Sequence, residues 1–116
     1  MLEISPLSGQ PFQLLILLIL GHFFADFPLQ SDRMAVEKCP DKEAVLDWRW
    51  WLSAHAATHG FVVALLTGVP VLGLAETLFH AAIDYGKCRF RYTLVADQLM
   101  HALCKLMWVL ALTTWL

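Results

Sequence analysis

The sequence predicts an all-α, four-helix transmembrane bundle, a single four-span domain over residues 1–116 with both termini outside and a polar cytoplasmic loop between helices 1 and 2. Three observations predict it. Hydrophobic residues make up 59% of the chain and charged residues 16%, where an ordinary soluble domain carries about 25% charged residues. Four apolar stretches approach the roughly 20 residues that a helix needs to cross a bilayer. All five histidines have an Asp or another His four residues away, in the pairs His22/Asp26, His55/His59, His80/Asp84 and Asp97/His101. Residues at that spacing share one face of a helix, one turn apart.

The first span runs from about Pro11 to Phe27 (PFQLLILLILGHFFADF) and is stopped by Pro28. The residues before it, MLEISPLSGQPF, contain no Lys or Arg, so the basic start of a cleaved signal peptide is not expected. Ser31–Asp47 is polar and reads as a loop with short amphipathic helical pieces broken at Pro40. The second span covers Trp48 to Thr67. A turn around Gly68 and Pro70 leads into the third, expected to end near Tyr85 with Gly86 as its C-cap. The fourth runs from about Leu94 to Leu116. Cys39, Cys88 and Cys104 follow no CxxC spacing and read as free thiols facing a reducing cytoplasm or lipid. No basic stripe runs along any segment, which argues against a nucleic-acid partner.

The basic residues set the expected orientation. Arg33, Lys38, Lys42 and Arg49 fall in the first connection and Lys87, Arg89 and Arg91 in the third, with none in the second. The positive-inside rule then places those two connections in the cytoplasm of a bacterial inner-membrane, multi-pass protein. In that register His22, His59, His80 and His101 share one layer. Asp26, His55, Asp84 and Asp97 form a second layer about 6 Å nearer the cytoplasm, at 1.5 Å per residue. Glu76 lies one further turn beneath His80.

Ionisable groups in apolar spans cost about 2.5–3.5 kcal/mol each near a helix centre, so they are expected to face inward and find compensation. A divalent cation supplies it to carboxylates and imidazoles together, and bundle interiors are established places for such sites. Mixed imidazole and carboxylate donors suit Zn, with Mn or Fe as alternatives, better than Ca or Mg. The expected metal ligands are His22, Asp26, His55, His59, His80, Asp84, Asp97 and His101, holding one or two ions. Asp26, Asp97 or Glu76 is the expected general base, and Lys87 a catalytic-site cation for a phosphate oxygen. Gln30 and Gln98 are accompaniments. Lys105 is expected either to pair with Glu76 or to snorkel. Interhelical hydrogen bonding, a proton or ion pathway and bis-His haem ligation are the competing readings of the same residues.

The strings HFFADFPLQSDRMAVEK, HAATH, HAAIDYGK and DQLMH resemble the bacterial family known as domain of unknown function 3307, over nearly the whole chain. The resemblance implies a small inner-membrane protein. The family's His/Asp pattern is similar to that of membrane-bound metal-dependent hydrolases. The expected function is therefore a membrane-embedded metal-dependent hydrolase acting on a phosphoester or related bond of a lipid or amphiphile. The expected partners are the lipid bilayer, a lipid substrate and a second copy in a homo-oligomer. The alternatives are a metal-ion or proton carrier and a non-catalytic, metal-stabilised adaptor.

Overall fold

Helix starts are set by prolines and by side-chain caps. In the computed structural model, which describes residues 10–115, the chain folds into α1 (Pro11–Asp26), α2 (Asp32–Glu37), α3 (Trp48–Thr67), α4 (Pro70–Phe90) and α5 (Leu94–Thr114). Pro11 and Pro70 open α1 and α4, where a missing N–H costs nothing. The side chains of Ser31, Asp47 and Thr93 accept backbone N–H groups at the starts of α2, α3 and α5. Gly68 (φ 72) closes α3 in the left-handed region.

The third long helix runs past the predicted C-cap at Gly86 to Phe90, and Arg91 (φ 56) is its cap. Gly86 has a different use. A Cβ there would stand 2.8 Å from the Tyr92 hydroxyl, which donates to the Ile83 carbonyl. The glycine makes room for a tyrosine that ties the α4–α5 connection back onto α4.

α3 and α4 form the most intimate pair. Their backbones meet at Gly60 and Gly73, and a Cβ at Gly73 would lie 2.6 Å from the Gly60 carbonyl oxygen. α1 and α5 pack against this hairpin. The apolar core joins Leu14, Leu18, Val63, Leu72, Trp108, Val109 and Leu112 at one end of the bundle.

The four-span transmembrane bundle is not what these helices support. Among the described residues only α5 is both long and apolar enough to cross a membrane. α1 has 16 residues, about 24 Å at 1.5 Å per residue, short of a hydrocarbon core of about 30 Å. α3 and α4 are long enough, but α4 carries Glu76, Asp84, Lys87 and Arg89, and α3 carries Arg49 with two histidines. The ionisable residues that mark the site are what deprive these helices of spanning character. Both-termini-outside and multi-pass placement fall with the four spans. The expectation of no cleaved signal peptide falls largely on residues 1–9, which lie outside the described residues.

The cysteine reading is also corrected. Cys39 and Cys88 form a disulfide, and Cys104 alone is free and buried. The pairing was invisible in the sequence because 49 residues separate the two partners. It anchors the segment after α2 to the far end of α4.

Candidate metal centre

Each long helix presents its predicted pair to one interior point. His22 and Asp26 come from α1, His55 and His59 from α3, His80 and Asp84 from α4, and Asp97 and His101 from α5. All are buried, none more than 7% exposed. The rings of His22, His59, His80 and His101 form a closed circuit, with neighbouring centroids 5.0, 3.7, 4.1 and 5.0 Å apart. Asp26, Asp84 and Asp97 lie on the side that faces a cavity of about 760 Å³, whose lining they share.

Most carboxylate oxygens gathered here have a donor, but Asp97 Oδ1 and His59 Nε2 have no hydrogen-bond partner. His80 Nδ1 stands 3.0 Å from Glu76 Oε2, while Glu76 Oε1 accepts from Lys105 Nζ at 2.9 Å and Trp108 Nε1 at 2.8 Å. Glu76 is thus a carboxylate held by donors. Since Glu76 is an acceptor, we assign the His80 tautomer with its proton on Nδ1, which leaves Nε2 as an acceptor. That bare nitrogen faces His55 Nε2 at 3.2 Å and Asp84 Oδ2 at 3.3 Å. His55 Nε2 in turn faces Asp26 Oδ1 at 3.2 Å and Asp84 Oδ2 at 3.4 Å. One N–H therefore stands before three acceptors, of which Asp84 Oδ2 is also served by Lys38 Nζ at 2.9 Å. His59 Nε2 lies 3.3 Å from Asp26 Oδ1 yet makes no hydrogen bond. Asp97 Oδ1, 3.4 Å from His101 Nε2, makes none either.

These separations have a second meaning. Two donors bound to one tetrahedral zinc at 2.0–2.1 Å lie about 3.3 Å from each other. The nitrogen and oxygen atoms of Asp26, His55, His59 and His80 come within 4.8 Å of one another, as do those of His22, His80 and His101 and those of Asp84, Asp97 and His101. His80 and His101 each belong to two groups. The donor set and its unsatisfied atoms fit a transition-metal ion, and Glu76 fits the carboxylate that orients a ligating imidazole from behind.

Most of these groups are held in the form that binds a cation. His101 is the exception: burial alone would lower it, but Asp84 and Asp97 raise it to about 9, so a metal ion would have to displace its proton. Burial, aided by the Lys105 charge, pulls His22 down to about 4. Burial likewise pulls His59 down to about 3, so both rings are neutral at pH 7. Burial alone would raise Asp26, but hydrogen bonds from His55 and Gln98 and the close approach of the His59 ring hold it well below the usual carboxylate range. Asp84 is also pushed up by burial and brought well below its ordinary value by His101, His80 and Lys38. Glu76 falls to about 2 through His80 and Lys105 despite its burial.

The surrounding residues divide into supports and rim. Gln98 bridges three pair members, facing His22 Nε2 at 2.9 Å through its carbonyl and donating to Asp26 Oδ2 and Asp97 Oδ2 at 3.0 and 3.1 Å. Gln30 donates to the Asp26 carbonyl. Lys105, 1% exposed, takes the pairing alternative with Glu76. Lys87 Nζ reaches Asp97 Oδ2 at 3.8 Å and lines the cavity with Lys38, Lys42 and Arg91. Among the described residues the non-glycine positions with positive φ are Asp41 and Arg91, and both line this cavity. Such conformations cost on the order of 1 kcal/mol and cluster at functional sites.

Sequence reasoning missed Lys38, whose Nζ lies 2.9 Å from Asp84 Oδ2. Its partner is 46 positions away, and no periodicity links a loop lysine to a helical carboxylate.

The fold and site define an all-α protein with buried His/Asp clusters of metal-ligand spacing. The chain belongs to the DUF3307 family, described as a protein of unknown function, whose family model matches residues 14–116. No curated protein and no solved structure matches the chain.

Proposed function

We propose that the chain is a metal-dependent hydrolase of a phosphoester or related bond in a lipid or amphiphile. The observation that carries this reading is the convergence of buried His and Asp donor atoms within 4.8 Å of one another at the floor of a cavity with a cationic wall. One or two divalent transition-metal ions, zinc first, with manganese or iron as alternatives, would be held by the eight pair members. Such ions supply Lewis acidity at the scissile ester and activate water.

The chain's own residues take the remaining roles. Lys87, Lys42 and Arg91 line the wall where a phosphate would enter, and cationic donors to phosphate are short, strong contacts. Asp26 or Asp97, at the boundary of cavity and ligand cluster, serves as the base that takes a proton from attacking water. Glu76 sits farther in, fully engaged, and orients His80. The apolar plug of Leu14, Leu18, Val63 and Leu112 closes the opposite end. Among the described residues, that apolar plug at the opposite end supports an enzyme over a carrier.

A lipid or amphiphile as substrate is supported by the exterior. Phe12, Ile16 and Leu20 on α1 and Leu99, Leu103 and Leu110 on α5 are exposed, and apolar faces of this kind mark contact with lipid or partners. Association with a bilayer through these faces would bring head groups to the cavity.

The test is hydrolysis of chromogenic phosphomonoesters, phosphodiesters and short-chain phospholipids by purified protein, after chelation and after reloading with Zn²⁺ or Mn²⁺. Turnover should require the metal and vanish in His59→Ala. Activity that survives with less than one metal ion per chain would defeat the proposal, as would metal-loaded protein inert on every substrate.

A further inference from the structure

Lys38 occupies a position that a metal ion would want. Its ammonium lies 2.9 Å from Asp84 Oδ2, the same oxygen that faces His55 Nε2 at 3.4 Å and His80 Nε2 at 3.3 Å. The side chain is only 13% exposed, so the ammonium has left most of its water to stand there. A dication bound to that oxygen would repel it strongly at such range, because charges a few ångströms apart interact far more strongly away from bulk water. Ammonium and metal ion are therefore competitors for one carboxylate oxygen.

What holds the ammonium in place is the next residue. Cys39 is covalently joined to Cys88, and Cys88 follows Asp84 by one helical turn on α4, on the same face. The disulfide thus pins residues 38–42 over Asp84 at the cavity mouth, where Lys38, Cys39, Pro40, Asp41 and Lys42 are all lining residues. Among the described residues, Lys38–Asp84 is the remaining ion pair between this strap and α4. Once the covalent link is cut, the effective concentration of the ammonium at Asp84 falls, because a tethered group competes better than one on a free segment.

We infer that Lys38 is a built-in competitor of the metal at Asp84, and that the Cys39–Cys88 disulfide keeps it engaged, so that reduction of the disulfide raises metal affinity. This rests on the metal-site reading above and adds its regulation. Linkage makes the effect reciprocal: if reduction strengthens metal binding by some factor, bound metal favours the dithiol by the same factor. The ligand class is a divalent transition-metal ion, and the input is any dithiol or phosphine reductant. A phosphine splits the sulfur–sulfur bond by accepting oxygen from water, giving two thiols and one phosphine oxide, so two electrons pass from phosphorus to the sulfurs.

The test is a Mn²⁺ titration of the full chain, following free Mn²⁺ by electron paramagnetic resonance, with and without a water-soluble phosphine. Reduction of the native chain should tighten Mn²⁺ binding about tenfold, within the usual range for coupled sites. Lys38→Met should bind as tightly when oxidised as the native chain does when reduced, and phosphine should add nothing further. Cys88→Ser should match the reduced chain under both conditions. Saturating Mn²⁺ should raise the disulfide's reduction potential by about 30 mV for a tenfold coupling.

Equal affinity of oxidised Lys38→Met and the oxidised native chain would overturn the inference. So would a phosphine effect in Lys38→Met as large as in the native chain. His59→Ala separates the two levels. If it abolishes Mn²⁺ binding while Lys38→Met changes nothing, the metal site stands and the competitor falls. If no form binds Mn²⁺ at all, both fall.

Discussion

On α1 the buried stripe runs Leu14, Leu18, His22, Asp26; on α5, read in reverse, it runs Leu112, Trp108, Lys105, His101, Asp97. α3 and α4 do the same, passing from Val63 to His59 and His55 and from Leu72 through Glu76 and His80 to Asp84. One end of the bundle interior is thus apolar and the other ionisable, on the same continuous helix faces. The apolar end supplies folding energy, about 1.5–3 kcal/mol for each fully buried leucine or valine. The ionisable end draws on it, since buried charges and unpaired acceptors are unfavourable until something neutralises them. The two ends are joined by the Gly60/Gly73 crossing, which sets the 3.7 Å stacking of the adjacent His59 on His80.

This division is open to breaking from either side. Leu18, 1% exposed and one turn from His22, belongs wholly to the apolar end. Leu18→Ala should lower unfolding free energy by about 2–5 kcal/mol, as large-to-small core changes do. Denaturant titration should give the same loss with metal and with chelator. A loss that appears only with metal would mean that the ends are not separable.

The mirror experiment is Asp26→Asn. Its one amide oxygen can still accept from Gln98, while its NH2 must face imidazole nitrogens that carry their proton on the other side, and the charge is gone. Hydrolysis by metal-loaded protein should fall by about 10²–10³-fold, the usual effect of losing one charge-stabilising group. Thermal stability in chelator should fall by no more than about 1–3 kcal/mol, the cost of one buried partner left unmet, if Asp26 serves the site rather than the fold. Bound metal per chain, counted by elemental analysis, should drop in parallel with rate.

Glu76→Gln probes the boundary between the ends. One amide oxygen cannot accept from His80, Lys105 and Trp108 as two carboxylate oxygens do. Metal affinity should weaken about 10–100-fold, as for other partners that orient ligating imidazoles. The ligand-field bands of Co²⁺-substituted protein should shift as His80 reorients. Unchanged bands with weakened affinity would make Glu76 a fold residue only.

The convergence of the four pairs was legible because helical period turns a spacing of four into a shared face, and helices as regular as α3, found at its predicted Trp48–Thr67, preserve that rule. The lipid-spanning reading failed for a related reason. Average hydropathy merges the apolar stripe, the apolar exterior and the site into one number, and it cannot say that the charges of α4 exclude that helix by themselves. Features made by long-range closure were beyond reach. Lys38 meets Asp84, and Cys39 meets Cys88, only because the strap after α2 folds back over the mouth. Gln98 was noticed without its three partners, since a glutamine's role depends wholly on what faces it.

The smallest expected effect lies at the start of α5, where the position of Asp97 depends on a single hydroxyl. Thr93 Oγ1 accepts from the Ala96 backbone N–H at 3.1 Å, and its own carbonyl receives the Asp97 N–H at 2.9 Å. Thr93→Ala should cost about 1 kcal/mol of stability, the usual loss of an N-cap. Fraying of that first turn would also loosen Asp97, whose Oδ1 faces His101 at 3.4 Å. Hydrogen exchange at the amides of residues 96–98 should rise, and metal affinity should fall by less than in Glu76→Gln. Thr93→Ser, which restores the hydroxyl, should recover both. Failure of the serine to do so would show that the methyl group, and so packing at the mouth, fixes Asp97 instead of the cap.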